Sequence, residues 1–211
     1  MPTSLPRRVG ILGGTFNPVH NGHLHMAQQA LSQAHLEQIL WLPAGDPPHK
    51  PLAPGATSAQ RRTMVALTIA DEPRFQISDL ELHRQGRSYA IVTVETLRAT
   101  HPDWHWFWII GADAFEDLAK WYQVDRLVGL CTWLVAPRQA DEDLQEMIDR
   151  VSAQIGQPVR AQPLVMPSVS VSSTHIREAC QQHQSITAFV PPAVARYIEE
   201  QGLYQEPDHA T

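Results

Sequence analysis

Two histidines three residues apart stand in a glycine-rich segment near the amino terminus. Residues 13–23 read GGTFNPVHNGH, in which His20 and His23 enclose a glycine that lets a substrate approach closely. An apolar run precedes the segment and a helical pattern follows it. The glycines allow a tight turn with bare amides, and the N–H groups and positive dipole of a helix N-terminus favour phosphate. Each imidazole can donate an N–H, and adds charge if it is protonated, so we expect a phosphate site here.

The segment differs from the common phosphate-binding loops. No GK[ST] follows it, and its glycine spacing is not GxGxxG. Two alternatives are a helix start with solvent-facing histidines and a metal site that includes the nearby His25. A metal site is the weaker alternative because no cysteine or carboxylate cluster stands nearby to complete it. We therefore expect no metal held by the protein alone.

A second candidate anion site lies near the other end, where residues 171–177 read VSSTHIR before another helical pattern. Ser172 suits an N-cap, the hydroxyls of Ser173 and Thr174 face the helix entrance, and Arg177 lies one turn on. An ordinary capped helix explains the same residues equally well. The segment alone does not decide between the two.

Composition limits the kinds of protein that this sequence can encode. A chain of 211 residues with 43% hydrophobic and 18% charged residues predicts one globular domain over 1–211, with 1–7 and 206–211 fraying. No apolar run approaches the roughly 20 residues of a membrane span, and no signal peptide is apparent, which predicts a cytoplasmic protein without membrane contact. The net charge of -6 disfavours nucleic acid as a partner. Cys131 and Cys180 are expected as buried thiols.

Short β-branched or aromatic runs alternate with longer helical patterns. The predicted strands are 8–12, 38–42, 75–78, 106–110, 131–136 and 163–165, and the predicted helices are 22–34, 58–70, 90–99, 112–118, 141–154, 172–182 and 191–201. This alternation predicts an α/β fold with a doubly wound, mostly parallel sheet and C-terminal helices. Ligands of such sheets bind at the carboxyl ends of the strands. The proline-rich segment 43–57 is a candidate flap over that edge.

The first motif resembles a known signature. GGTFNPVHNGHL is similar to the GGTFDPxHxGHL of the nucleotidyltransferase superfamily that shares the HxGH motif, and most resembles the bacterial nicotinate-nucleotide adenylyltransferases. Further matching segments are SSTHIR at 172–177, PPHK at 47–50, IIGAD at 109–113, Trp121-Tyr122, Ser88-Tyr89, Gln60-Arg61 and QGLY at 201–204. The resemblance runs from about residue 9 to residue 204.

The resemblance implies a Rossmann-like nucleotidyltransferase fold and adenylyl transfer from ATP to nicotinate mononucleotide, with Mg²⁺ arriving on ATP. It implies catalytic roles for His20, His23 and Arg177; ATP contacts for Gly13, Gly14, Thr15, Phe16, Gly111, Asp113, Ser173 and Thr174; and substrate contacts for His49, Lys50, Ser88, Tyr89, Trp121 and Tyr122. The implied product is nicotinate adenine dinucleotide, an intermediate of NAD biosynthesis.

Two positions depart from the family pattern. Asn17 stands where bacterial members usually have aspartate, and we expect the turn to survive. Ala90 stands where a threonine commonly helps to bind the nicotinate carboxylate. The alternatives are therefore a nicotinamide mononucleotide or dual-specificity enzyme, another HxGH enzyme such as a phosphopantetheine adenylyltransferase or a cytidylyltransferase, and a non-catalytic nucleotide-binding protein. The sequence predicts no oligomeric state.

Overall fold

A single parallel sheet organises the protein in this computed structural model, which describes residues 6–47, 53–139, 142–167 and 171–205. The strands are β1 (Arg7–Gly14), β2 (Gln38–Pro43), β3 (Phe75–Ile77), β4 (Trp104–Gly111), β5 (Thr132–Ala136) and β6 (Ala161–Pro163). They lie in the order β3-β2-β1-β4-β5-β6, and every pair is parallel. The chain direction switches between β1 and β4, which is where a doubly wound sheet opens a crevice for ligands.

Helices connect the strands and cover both faces of the sheet. They are α1 (Asn21–Gln33), α2 (Ser58–Ile69), α3 (Ala90–Thr100), α4 (Ala112–Glu116), α5 (Val124–Leu127), α6 (Leu144–Ile155), α7 (Ser173–Gln181) and α8 (Pro192–Glu200), with a 3₁₀ turn at Leu118–Lys120. Thr57 begins α2 with its side chain accepting from the Gln60 amide, and Ser172 begins α7 in the same way. The N-cap predicted at Ser172 is confirmed.

Successive residues of the central strands point to opposite faces, and both faces are buried. In β2, Ile39 and Trp41 join the core under α1, α2, α7 and α8, whereas Leu40 and Leu42 join the core under α3 to α6. Apolar residues on both sides of each strand are expected where helices cover a parallel sheet on both faces. The two cores hold the strand ends, and the loops that follow them, in fixed positions.

The predicted fold class is confirmed, but four of its details change. The sheet is wholly parallel rather than mostly parallel. The sixth strand is Ala161–Pro163, not 163–165. Beyond it, the backbone of Val165 pairs with the side-chain amide of Gln33, at 2.7 Å and 2.9 Å, instead of continuing the ladder. The helix predicted over 112–118 ends at Glu116, and the four-residue helix α5 was not predicted.

Arg7 already belongs to β1, within the segment expected to fray, and residues 1–5 and 206–211 lie outside the described part of the chain. Within the described ranges, no helix combines the length and apolar character that crossing a bilayer would require.

Candidate active site

A cavity of about 740 Å³ opens at the carboxyl ends of β1, β4 and β5. Ten of the residues predicted for the site line it: Gly13, Gly14, Thr15, His20, His23, Ser88, Gly111, Asp113, Trp121 and Ser173. The cavity therefore brings together both predicted anion segments and the predicted pyridine-binding tryptophan. Its size suits a nucleotide-sized ligand.

The two histidines form one stacked unit at the start of α1. Their ring centroids lie 3.7 Å apart, and His20 is only 8% exposed. The backbone N–H of His20 donates to Nδ1 of His23 over 3.2 Å. Because Nδ1 of His23 must accept this bond, the proton of the neutral ring is on Nε2. The pair thus holds His23 in the tautomer that can donate Nε2–H to a ligand.

Burial keeps both imidazoles neutral in the free protein. It lowers the pKa of His20 to about 4. It also lowers the pKa of His23 well below the usual value, and repulsion from His20, when His20 is protonated, lowers it further. Both rings are therefore N–H donors rather than cations at pH 7. A phosphate placed against them would raise both pKa values, since a nearby negative charge favours the protonated form.

The glycine between the histidines makes room for the protein as well as for a ligand. Gly22 lines the cavity, as its predicted role requires. A Cβ at Gly22 would also lie 3.0 Å from Nδ1 of His20 and 3.3 Å from the Val171 side chain. The HxGH spacing therefore lets the first histidine fold back over its own helix start.

Side chains from two helices hold the carbonyls of the loop that follows β1. Arg61 of α2 donates to the Thr15 carbonyl over 2.6 Å. From α7, Arg177 donates to the Asn17 carbonyl and Ser173 to the Pro18 carbonyl, each over 2.8 Å. A trans peptide points its N–H opposite to its carbonyl, so the Thr15 contact also sets the direction of the following amide.

Asn17 sits at the centre of this loop and is 2% exposed. Its Nδ2 donates to the Ala53 carbonyl over 2.8 Å, while its Oδ1 accepts from the hydroxyl of Tyr204 over 2.8 Å. An ionised aspartate could accept from Tyr204 but could not donate to Ala53. The turn exists with asparagine, as expected, and the amide adds a link to the far end of the flap segment.

The second anion segment divides between two pockets. Ser173 lines the main cavity, whereas Thr174 and Arg177 line a smaller pocket of about 230 Å³ with Tyr204. Arg177 donates to the Asn17 carbonyl of the first motif over 2.8 Å, and its second nitrogen donates to the Thr174 hydroxyl over 3.2 Å. Phe16 does not line the cavity either, because its ring is buried at 1% exposure.

The wall formed by β4 and β5 carries an ion pair that the sequence analysis missed. Asp113, in the first turn of α4, pairs with Arg138 just beyond β5, and both side chains are more than half exposed. Arg138 lines the cavity. The sequence could have indicated Arg138 as a site residue, because it follows a strand that lies beside β4. In a parallel sheet the carboxyl ends of all strands lie at one edge.

Aromatic residues form the other end of the cavity. Trp121 packs edge to face against Trp108 and Trp133, with centroids 6.1 Å and 6.0 Å away. Tyr89 and Tyr122 pair with each other at 4.6 Å beside it, and neither lines the cavity. Of the three aromatic residues predicted to contact the substrate, Tyr89, Trp121 and Tyr122, only the tryptophan lines the cavity.

Ser88 lines the cavity and also anchors the start of the flap segment. Its hydroxyl accepts from the Gly45 amide over 3.1 Å, and its own amide donates to the Asp46 carbonyl over 2.7 Å. Beside it, Glu81 lines the cavity and accepts from the Thr93 hydroxyl over 2.7 Å. Burial raises the pKa of this carboxyl. No sequence motif marks Glu81 as a site residue.

His49 and Lys50 lie outside the described residues, although Pro47, just before them, lines the cavity. In the part of the chain that the structure describes, no three His, Cys, Asp or Glu side chains come together in a way that could hold a metal ion.

Known proteins resemble this chain in sequence and in fold. The profile of the cytidylyltransferase-like family matches residues 11–179. A protein of Synechococcus sp. (strain JA-2-3B'a(2-13)) named "probable nicotinate-nucleotide adenylyltransferase" is 53% identical, covering 95% of this chain and 98% of that one. A protein of the same name from Gloeobacter violaceus is 41% identical, over 95% and 97% of the two chains.

A solved structure reproduces the fold at low identity. The nicotinic acid mononucleotide adenylyltransferase of Plasmodium falciparum, complexed with NaAD, superposes with a TM-score of 0.75 at 18% identity, over 94% of this chain and 97% of that one. The structural likeness supports the nucleotidyltransferase fold, and the sequence relatives support the narrower family. The chain therefore belongs to the cytidylyltransferase-like family and, within it, to the nicotinate-nucleotide adenylyltransferases.

Proposed function

We propose that this protein transfers the AMP part of ATP to nicotinate mononucleotide, giving nicotinate adenine dinucleotide and pyrophosphate. The observation that carries the proposal is one cavity with a neutral histidine pair at a helix start and a tryptophan on another wall. The first suits phosphates and the second suits a flat aromatic ring. The names of the relatives, and the NaAD complex of the Plasmodium falciparum enzyme, agree with this chemistry.

The reaction needs no general base from the protein. The attacking group is the phosphate of the mononucleotide, whose second pKa of about 6 leaves it charged at pH 7. The protein has to hold two polyanions close together, in line for attack on the α-phosphorus, and to stabilise charge on the transferred group and on the leaving pyrophosphate. Fixed N–H donors do this without reorganising during the step.

We assign the phosphate contacts to the two loops that meet in the cavity. His20 and His23 donate to the ATP phosphates, with His23 nearest the transferred group. Backbone groups of Gly13, Gly14, Thr15 and Phe16 add contacts from the β1 loop; Ser173, Thr174 and Arg177 hold the β- and γ-phosphates; and His49 and Lys50 close over them. Thr174 and Arg177 need the polyphosphate to reach past Ser173, because they line the neighbouring pocket.

Mg²⁺ would enter bound to ATP. Asp113 and Glu81 are carboxylates of the cavity wall, but the first is paired with Arg138 and the second is buried with a raised pKa. The residues present therefore fit an ion that keeps its waters and its phosphate ligands. Bound in that way, the ion neutralises phosphate charge, while the protein's own groups orient the nucleotide.

The pyridine nucleotide would lie toward Trp121. We propose that Trp121 and Tyr122 offer the pyridine ring a stacking surface and backbone amides, that Ser88 and Tyr89 border it, and that Gly111 and Asp113 contact the ATP nucleoside. Ala90 lines the cavity without a hydroxyl, so it cannot supply the side-chain contact to the substrate carboxylate that a threonine would.

The acid preference is tested by measuring kcat/KM for nicotinate and nicotinamide mononucleotides, with the dinucleotide product separated by chromatography. We expect the acid to be favoured by 10-fold or more, on the order of what one satisfied polar contact provides. Equal values for the two substrates would refute the acid preference. Product from phosphopantetheine but from neither mononucleotide would place the protein among other HxGH enzymes.

A further inference from the structure

Arg61 is a buried cation that has no anionic partner in the described part of the chain. Its side chain is fully buried, with 0% exposure. It donates to the Thr15 carbonyl over 2.6 Å, to the Ala44 carbonyl over 2.8 Å and to the Ser58 hydroxyl over 3.1 Å. Its Nε is buried with no acceptor, and it forms no ion pair among the described residues. A buried charge in this state is costly, so its position calls for an explanation.

The two carbonyls that Arg61 binds belong to the turns after neighbouring strands. Thr15 follows β1 and Ala44 follows β2, and Gly14 pairs with Pro43 in the sheet. The Ala44 amide also donates to the Gly14 carbonyl over 2.9 Å. A guanidinium can span two acceptors with a rigid planar fork, which an ammonium group cannot do. Arg61 therefore ties the start of the flap segment to the β1 loop.

The contact with Thr15 continues to His23 through Phe16. Because the Thr15 carbonyl points toward Arg61, the Phe16 N–H of the same peptide points the opposite way. Phe16 adopts a left-handed φ of 48°, a conformation that residues other than glycine seldom hold without support. Its ring then meets the His23 ring edge to face, with centroids 5.1 Å apart. Arg61, Thr15, Phe16 and His23 form a continuous chain of contacts.

The positive charge of Arg61, like the loop geometry that it fixes, favours a phosphate as ligand. Burial lowers the pKa of Arg61, and arginine nevertheless remains charged at neutral pH. No described carboxylate forms an ion pair with it, and burial lowers the pKa of His20 and His23, so this histidine pair adds no positive charge at pH 7. Arg61 does not itself line the cavity, but it binds the carbonyl of Thr15, which does, so its positive charge lies directly behind that wall. Low-dielectric surroundings strengthen its field at short range.

We propose that Arg61 is a positioning residue for adenylyl transfer, which fixes the β1 loop beneath the ATP phosphates and supplies a buried charge that these phosphates offset. The inference rests on the proposed function, since it assigns Arg61 a part in that reaction. This role can be distinguished from a purely structural one, because the planar fork of the guanidinium and its charge can be removed separately by substitution.

The test uses Arg61→Lys, which keeps the charge and loses the fork, and Arg61→Gln, which loses both. Arg62→Gln is the matched control, because Arg62 is the next residue, is exposed and is paired with Asp79. We expect Arg61→Gln to lower kcat by about 10²-fold and to raise KM for ATP, a size typical of one lost transition-state contact. We expect Arg61→Lys to restore KM for ATP largely, but not kcat, and Arg62→Gln to match the wild type.

Two outcomes would overturn the proposal. One is wild-type kcat and KM in Arg61→Gln. The other is full recovery of both constants in Arg61→Lys, which would show that the planar fork of the guanidinium is not required. If Arg61→Gln does not fold, Arg61→Lys alone decides through its split between kcat and KM. A wild type that makes no dinucleotide would contradict the proposed function instead. In that case the rise in melting temperature caused by ATP alone, large in the wild type and small in Arg61→Gln, still tests Arg61.

Discussion

The two ends of the cavity are built in different ways. At the phosphate end, the β1 loop is buried, and side chains from α2, α7 and the C-terminal segment fix three of its carbonyls and its one asparagine. At the pyridine end, Trp121 rests against other tryptophans, while Tyr122 is 50% exposed. Polar contacts of fixed direction define the first end, and aromatic packing defines the second.

The difference matches what each end has to do. Phosphoryl chemistry depends on donors held within tenths of an ångström, because misplacement of the reacting groups costs rate directly. Recognition of a flat ring tolerates small displacements, because stacking varies slowly with position. We therefore expect changes at the phosphate end to act on kcat and changes at the pyridine end to act on KM for the mononucleotide.

The largest expected effect is at His23. His23→Ala removes the Nε2–H donor and should lower kcat by 10²-fold or more, with a circular dichroism spectrum like that of the wild type. His25→Ala is the matched control, since His25 lies on the same helix but does not line the cavity. Wild-type turnover in His23→Ala would contradict the expectation that changes at the phosphate end act on kcat.

Trp121→Ala should give the opposite pattern. Loss of a stacking ring costs about 1 to 3 kcal/mol, which corresponds to a rise of about 5- to 150-fold in KM for nicotinate mononucleotide. The kcat at saturation should fall less than it does in His23→Ala. Tyr122→Ala, which alters a ring outside the cavity lining, serves for comparison and should shift KM less. A selective loss of kcat in Trp121→Ala would contradict the expectation that changes at the pyridine end act on KM for the mononucleotide.

The buried histidines should make the phosphate end sensitive to acid. The pKa of His20 is about 4 when folded, against an ordinary 6.5, so between these values the unfolded chain binds a proton that the folded chain does not. Stability is then complete above pH 6.5 and falls as the pH drops toward 4, by roughly 3 kcal/mol for His20.

Urea unfolding at several pH values checks this prediction. His20→Asn should lose less stability than the wild type over the same interval, and His25→Asn should behave as the wild type does. Equal slopes in His20→Asn and the wild type would show that His20 is not held neutral.

The smallest effect is expected at the exposed ion pair of the β4 wall. Asp113 and Arg138 are 59% and 64% exposed, and pairs of this kind contribute about 0 to 1 kcal/mol to folding. Asp113→Asn should therefore leave the unfolding midpoint nearly unchanged while it alters KM for ATP. An unchanged KM for ATP would contradict the nucleotide contact assigned to Asp113.

Local signals in the sequence predicted the strands, the main helices and the position of the cavity. Short β-branched or aromatic runs mark the strands, and Ser172 marks the start of α7, because these signals depend on neighbouring residues. The shift of β6 was not predictable in this way, since the Gln33 side chain, 132 residues distant, competes for the Val165 backbone. The partners of Asn17 and Arg61 were missed for the same reason.

Motif reading also explains which site residues were found and which were not. His20, His23 and Ser173 belong to contiguous signatures, and all line the cavity. Arg138 and Glu81 line it too, but tertiary packing alone brings them there. Arg177 was predicted as a phosphate ligand, and its contact with the Asn17 carbonyl appears only in the folded chain.

The central claim is that this protein transfers the AMP part of ATP at the histidine end of the cavity. It is tested most directly with ATP carrying a radioactive label in either the α- or the γ-phosphate, incubated with nicotinate mononucleotide and separated by chromatography. We predict that the α-label appears in the dinucleotide, that the γ-label appears in pyrophosphate, and that His23→Ala abolishes both. Transfer of the γ-label to the mononucleotide, or label transfer that His23→Ala leaves intact, would contradict the claim.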